Sequence, residues 1–332
     1  MTQHLIRNER ARQALRSVCI TLGIALATLA TIEVMLRIAD LRVLREGTSE
    51  RSLTYRYDPE LGWAPVPSSN SAVTTARTIH AKHNSLGFRD VEFERDSRPT
   101  VLFIGDSFVW GVDAEVGERF TDLLGKRLPG LHIVNAGVSG YGTDQEYLLL
   151  QRIWSTIQPA VVVLIFCADN DRLDNGTNIR YDGYQKPYFA TGADGALELR
   201  GQPVPISRQL YIKQNWLVRH LWLARVVAFA YVEIRHPQVF VSDPTEKIVS
   251  KIHEFVEAHG ARLELGLQSS DEKLIQHLRS ERIPFVTFDG AEAYPSRFGS
   301  HWTPAGHQLV ADRLFGLLSD INGAKAEGNV TR

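Results

Sequence analysis

The chain has 332 residues, enough to bury a full core in one large domain or two small ones. Its 37 basic and 38 acidic residues leave a formal net charge of −1, so nothing in the charge balance argues for a nucleic-acid partner. The two cysteines, Cys19 in an apolar N-terminal stretch and Cys167 closing an apolar run, do not suggest a disulfide and report no redox compartment.

Residues 1–16 form a basic tail with Arg7, Arg10, Arg12 and Arg16. Ser17 to Ile32 then carries no charge, and residues 17–37 read as a membrane anchor once Glu33 and Arg37 reach toward the interface. A signal peptide cleaved at Ala25-Leu26-Ala27 would cut the apolar stretch short. A buried or interfacial helix is the third reading. Arg37, Arg42, Arg45 and Arg51 follow the span and nearly balance the four arginines before it, so charge sets no orientation.

Residues 38–99 read as a connector that packs on the following domain, since it places Trp63 and Phe88 among turn residues. From 100 to 320 the pattern alternates. Val101–Ile104, Ile133–Val134, Val161–Phe166, Leu263–Leu267 and Phe285–Phe288 are strand-like runs. Helices are expected near Glu118–Leu128, Thr143–Thr156, Thr245–Ala258 and Asp271–Arg282, with a last one from Pro304 to about Leu318. Such alternation implies right-handed crossovers: a three-layer, doubly wound α/β domain with a mostly parallel five-stranded sheet. Residues 171–242 interrupt this rhythm and read as an insertion that caps the active-site edge. Residues 321–332 read as a flexible tail.

Four blocks stand out in order: Gly105-Asp106-Ser107 after the first strand, Asn135 to Gly140 after the second, Ala168-Asp169-Asn170-Asp171 after the third, and His301 to His307 near the C-terminus. Together they resemble the SGNH (GDSL-type) hydrolases, in particular a membrane-anchored bacterial subset with an N-terminal helix. The resemblance covers roughly Tyr55 to Leu317. It implies a flavodoxin-like fold with Ser107 as nucleophile, His301 as general base, and an oxyanion hole made of the Ser107 and Gly140 amides with the Asn170 side chain. The Gly-Asp-Ser-Phe-Val context also lacks the Gly-x-Ser-x-Gly elbow of α/β-hydrolases.

The family commonly carries an aspartate two or three residues before the histidine; here those positions are Gly299 and Phe298. Either a Ser–His dyad operates or a more distant acid such as Asp289 orients His301. Trp110, Trp302 and Asp171 are candidate substrate contacts, and His307 reads as structural. The acidic run from Asp169 does not fit a calcium loop, because Leu173 falls where an oxygen ligand is needed. Neither metal nor cofactor is expected.

The resemblance implies an extracytoplasmic, inner-membrane-anchored serine esterase acting on O-acyl groups, most simply acetyl esters of a cell-envelope carbohydrate. Alternatives are an O-acyltransferase using the same Ser107 and His301, a lipid-ester hydrolase, and a non-catalytic binding or assembly protein. The expected partners are a small-molecule or polysaccharide acyl ester and, through the N-terminal helix, a membrane.

Overall fold

The computed structural model describes residues 2–45, 54–180, 183–295 and 300–328, so Phe298 and Gly299 lie outside the described residues. In chain order, a long helix α1 (Thr2–Ala39) is followed by two antiparallel hairpins: β1 (Tyr55–Asp58) with β2 (Gly62–Pro65), and β3 (Asn70–Thr74) with β4 (Thr78–Lys82). The alternating part begins with β5 (Thr100–Gly105), α2 (Ser107–Trp110), α3 (Phe120–Arg127), β6 (His132–Asn135), α4 (Thr143–Ile157) and β7 (Val161–Phe166). Next come α5 (Asp171–Asn175) and the short strands β8 (Ile179–Arg180), β9 (Tyr184–Gln185), β10 (Tyr188–Thr191) and β11 (Leu197–Arg200). Three helices follow: α6 (Arg208–Gln214), α7 (Trp216–His220) and α8 (Trp222–Arg235). The chain closes with α9 (Thr245–Ala258), β12 (Arg262–Leu267), α10 (Glu272–Glu281), β13 (Phe285–Thr287) and α11 (Pro304–Gly328).

These elements form two compact units, residues 47–207 with 237–332 and residues 1–46 with 208–236. The larger holds the parallel five-stranded sheet in the order β13-β12-β7-β5-β6. Counted within the sheet, that order is 2-1-3-4-5, and the direction of winding reverses between β5 and β7. β5 and β7 are buried along their whole length, which is why both read as unbroken apolar runs. On one face, Phe103, Phe120, Leu124, Phe288, Trp302 and Leu314 share a core. The β3–β4 hairpin is anchored too, with Val73, Ile79 and Ala81 buried beside Trp110 and Val112.

The smaller unit is helical. α1 contains a stretch, Arg12–Ala39, long and apolar enough to cross a membrane, and its side chains in that stretch are almost all exposed. The interval expected to form one cap is divided: its first part, to Ser207, belongs to the sheet-bearing unit, and Arg208–His236 joins α1. The C-terminal stretch expected to be a loose tail continues α11 as far as Gly328.

Candidate active site

The Gly105-Asp106-Ser107 block forms a tight strand-to-helix turn. β5 ends at Gly105, Asp106 caps α2 by accepting from the Phe108 N–H at 2.9 Å, and Ser107 is the first helical residue. One strand over, β7 ends and Asn170 occupies the cap position of α5. Ser107 and Asn170 therefore leave the carboxyl ends of the two strands that flank the winding reversal, where open α/β sheets form a crevice.

The second block braces the first. Asn135 donates to the Val109 carbonyl at 2.7 Å and accepts from the Gly137 N–H at 3.0 Å. A Cβ on Gly137 would stand 2.3 Å from the Trp110 nitrogen, so only glycine lets this loop lie against α2. The Gly137 N–H is thus already occupied. Gly140 has φ of 84°, a left-handed conformation suited to glycine, and its N–H takes part in no hydrogen bond among the described residues.

His301 reaches the site from the other end of the chain. Its carbonyl accepts from the Tyr294 N–H at 2.9 Å, and the Thr303 N–H donates to the Glu292 carbonyl at 3.0 Å. The next residue, Trp302, is locked in the core, and Thr303 and Pro304 open α11. So held, His301 Nε2 lies 2.8 Å from Ser107 Oγ.

The opposite face of the imidazole meets a residue that sequence reasoning missed. Asp113 is fully buried, and its Oδ2 stands 3.9 Å from His301 Nδ1. Its other oxygen accepts from the backbone N–H groups of Ala76 at 3.0 Å and Arg77 at 3.1 Å, and from the Thr75 hydroxyl. Those donors form the tip of the β3–β4 hairpin, so the connector completes this side of the site. Oδ2 itself has no hydrogen-bond partner among the described residues. Asp113 adopts φ of 64°, a conformation that costs a non-glycine residue on the order of 1 kcal/mol but that Asp tolerates better than most. A sequence signal existed, an aspartate just after the turn glycine Gly111, but the donors that hold it are main-chain groups with no side-chain signature.

Several expected residues fall elsewhere. Asp289 is exposed, and its carboxylate accepts from Ser270 N at 2.8 Å and Ser270 Oγ at 2.6 Å, so it is not the acid that orients His301. Trp110 is buried, donates from Nε1 to His83 Nε2 at 3.1 Å and carries the Arg89 guanidinium 4.7 Å above its ring. Trp302 is buried among Phe108 and Phe288, at centroid distances of 4.6 and 5.6 Å. Neither indole is available to a substrate. Asp171 is also buried, accepting from the Cys167 N–H at 2.8 Å to close the turn after β7. His307 is packed parallel to Phe120, and burial holds its pKa down at about 3, so it stays a neutral structural group.

Behind the crevice, Asp106, Asp144, Glu146, Asp171 and Asp174 are all buried. Asn170 joins this group, donating from Nδ2 to Asp174 Oδ2 at 2.8 Å. Arg180 pairs with Asp174 at 2.8 Å, and Lys186 pairs with Asp144 and donates to the Asp174 carbonyl at 2.9 Å. Among the described residues no group of three or more His, Cys, Asp or Glu side chains is arranged to hold a metal ion.

No family model and no curated protein matches the chain. Among solved structures it is similar to TesA, at 15% identity over 66% of this chain and 98% of that one with a TM-score of 0.40. A GDSL-like lipase from Bacteroides thetaiotaomicron matches at 12% identity over 67% and 88% with a TM-score of 0.37. A carbohydrate acetylesterase family member from Sinorhizobium meliloti matches at 14% identity over 68% and 99%, also with a TM-score of 0.37. At these identities the chemistry has to be argued from the residues themselves.

Proposed function

We propose that the chain is a serine-dependent carboxylic ester hydrolase of the SGNH type. The observation that carries this reading is the 2.8 Å contact between Ser107 Oγ and His301 Nε2 at the winding reversal of the sheet. His301 Nε2 accepts the hydroxyl proton as Ser107 Oγ attacks the acyl carbonyl. The imidazolium then faces Asp113, which acts as a positioning residue by favouring the proton on Nδ1. Charge on the former carbonyl oxygen is met by the N–H groups of Ser107 and Gly140 and by the Asn170 amide. His301 returns its proton to the departing alcohol, and water, deprotonated in turn by His301, frees the acyl group from Ser107.

The substrate class we favour is an O-acyl, chiefly O-acetyl, ester of a cell-envelope carbohydrate. This extends the resemblance of the four sequence blocks and the presence of a helix able to anchor the catalytic unit at the inner membrane, facing the periplasm.

The test is turnover of chromogenic esters from acetyl to long acyl by the full chain in detergent, with Ser107→Ala alongside. We expect a Ser107-dependent rate that peaks at acetyl and falls by about 10⁴ or more in the variant. Turnover equal in both proteins would refute the serine mechanism. A long-acyl optimum would refute the acetyl assignment, and activity that appears only with an added carbohydrate acceptor would convert hydrolysis into transfer.

A further inference from the structure

The helical unit presents apolar surface on two sides. Its interior buries Leu44, Ile212, Val218 and Phe229, with Leu36 of α1 and Trp222 of α8 packed against them. On α8 the buried stripe is Arg225, Phe229 and Val232. A helix with one buried stripe ordinarily turns polar residues outward. Here the outer side repeats apolar residues at helical spacing: Val227, Tyr231 and Ile234 are 64%, 53% and 78% exposed. With Tyr211, Leu217, Leu221 and Leu223, the first two of these line an open groove of about 530 Å³.

α1 fixes the level at which this face lies. From Ser17 to Leu36 the helix has about 20 residues, or about 30 Å, the thickness of a bilayer's hydrocarbon core. Glu33 and Arg37 therefore stand at the boundary, and both grip the helices beside them. Glu33 accepts from the Trp222 and Leu223 N–H groups at 3.0 and 2.8 Å, capping α8, while Arg37 pairs with Glu33 at 2.7 Å and donates to the His220 carbonyl at 2.6 Å. Arg225 points inward and donates to the Val218 carbonyl at 2.9 Å and the Leu44 carbonyl at 2.5 Å. Charges at the membrane edge are thus satisfied within the unit, as that environment demands.

We infer that α7 and α8 form a lipid-docking surface, with the outer face of α8 lying in the headgroup–acyl boundary of the bilayer that α1 crosses and acyl chains occupying the groove. The exposed apolar surface of α1 argues for lipid over a protein partner, because a bilayer that covers Leu29, Ile32 and Met35 must also meet α8, the helix that Glu33 caps. Trp216 and Tyr231, both exposed, supply the aromatic residues that favour this depth. The inference rests on the anchor reading and is independent of the serine chemistry.

The experiment uses the full chain in phosphatidylcholine–phosphatidylglycerol vesicles, with an environment-sensitive fluorophore on Val227→Cys in a Cys19→Ser background. Glu198→Cys in the same background serves as the control. We expect lipids brominated near the headgroup to quench the Val227 probe at least about twofold more than the control, and aqueous iodide to quench it less. Iodide quenching equal to the control would overturn the inference by placing the face in water. Protection from both quenchers would overturn it by showing that protein covers the face, and a chain that fails to float with vesicles would overturn it as well. Ester turnover measured on the same samples makes failure of the hydrolase reading separately visible.

Discussion

Asp113 and Glu146 are both fully buried carboxyls of the sheet-bearing unit, yet their surroundings are opposite in character. Asp113 accepts from two backbone N–H groups and a hydroxyl on one oxygen and turns the other toward an imidazole. Glu146 has no hydrogen-bond partner on either oxygen among the described residues. Its pKa is pushed well above the usual carboxyl range by burial, and further by the nearby Asp171, Asp106, Asp144 and Asp174. Donors and a facing imidazole surround the first carboxyl. The second site favours a proton, and its cations, Lys186 and Arg180, are engaged by Asp144 and Asp174. Burial alone therefore says little about what an acid does; the donors around it decide.

The largest expected effect tests the first half of that contrast. Asp113→Asn keeps an oxygen for the hairpin N–H groups but turns an amide N–H toward His301 Nδ1, which favours the tautomer with its proton facing Ser107. By analogy with the serine-protease triad, kcat should fall by about 10⁴ with KM and melting temperature little changed. A variant that retains most of its kcat would show that something else orients His301. Next in size is Lys186→Met, which strands a carboxylate at Asp144 and should destabilise the sheet-bearing unit by about 3–5 kcal/mol in denaturant unfolding. If stability is unchanged, Asp144 already carries a proton and belongs with Glu146. Asn170→Ala comes third. It removes the amide that links Asp174 to the crevice and should lower kcat by about 10²–10³. A loss confined to KM would assign Asn170 to substrate binding instead.

The parts of this site that were legible in the sequence are those tied to regular structure. β5 and β7 are buried on both faces, so they read as apolar runs, and the residues that punctuate their ends, Ser107 and Asn170, read with them. Thr303 and Pro304 mark the start of α11 and so locate His301. Adjacency misled where geometry diverges. Trp110 and Trp302 are near Ser107 and His301 in sequence, but each packs into the core. Asp289 was a plausible acid by order along the chain, yet it lies on an exposed turn bound to Ser270. Asp113 could not be found that way, since its role depends on main-chain donors from a hairpin more than thirty residues upstream. The interruption over residues 171–242 was visible in composition. Its division near Ser207 was not, because α8 is apolar on both sides and gives no cue to its partner.

The smallest effect tests the protonation of Glu146 by pH. Unfolded carboxyls titrate near 4, whereas in the folded chain Asp174 is raised to about 6 by burial and Glu146 is raised well above the usual carboxyl range by the same cause. Between the unfolded and folded values the native state holds protons that the unfolded chain releases, so these groups lower stability as pH rises through that window. Buried histidines act in the opposite direction. Burial depresses His83 to about 4 and His307 to about 3, so the unfolded chain binds more protons below about 6.5 and stability falls as pH drops from there. The wild type should therefore be most stable in a band set by the two opposing groups. Glu146→Gln removes one titrating acid and leaves the histidines in place. Its melting temperature should match the wild type at or below about pH 4 and exceed it increasingly as pH rises above that, with each pK unit of the original shift worth about 1.4 kcal/mol. Parallel curves for the two proteins would mean that Glu146 is ionised in the folded chain, and the contrast with Asp113 would then lie in position alone.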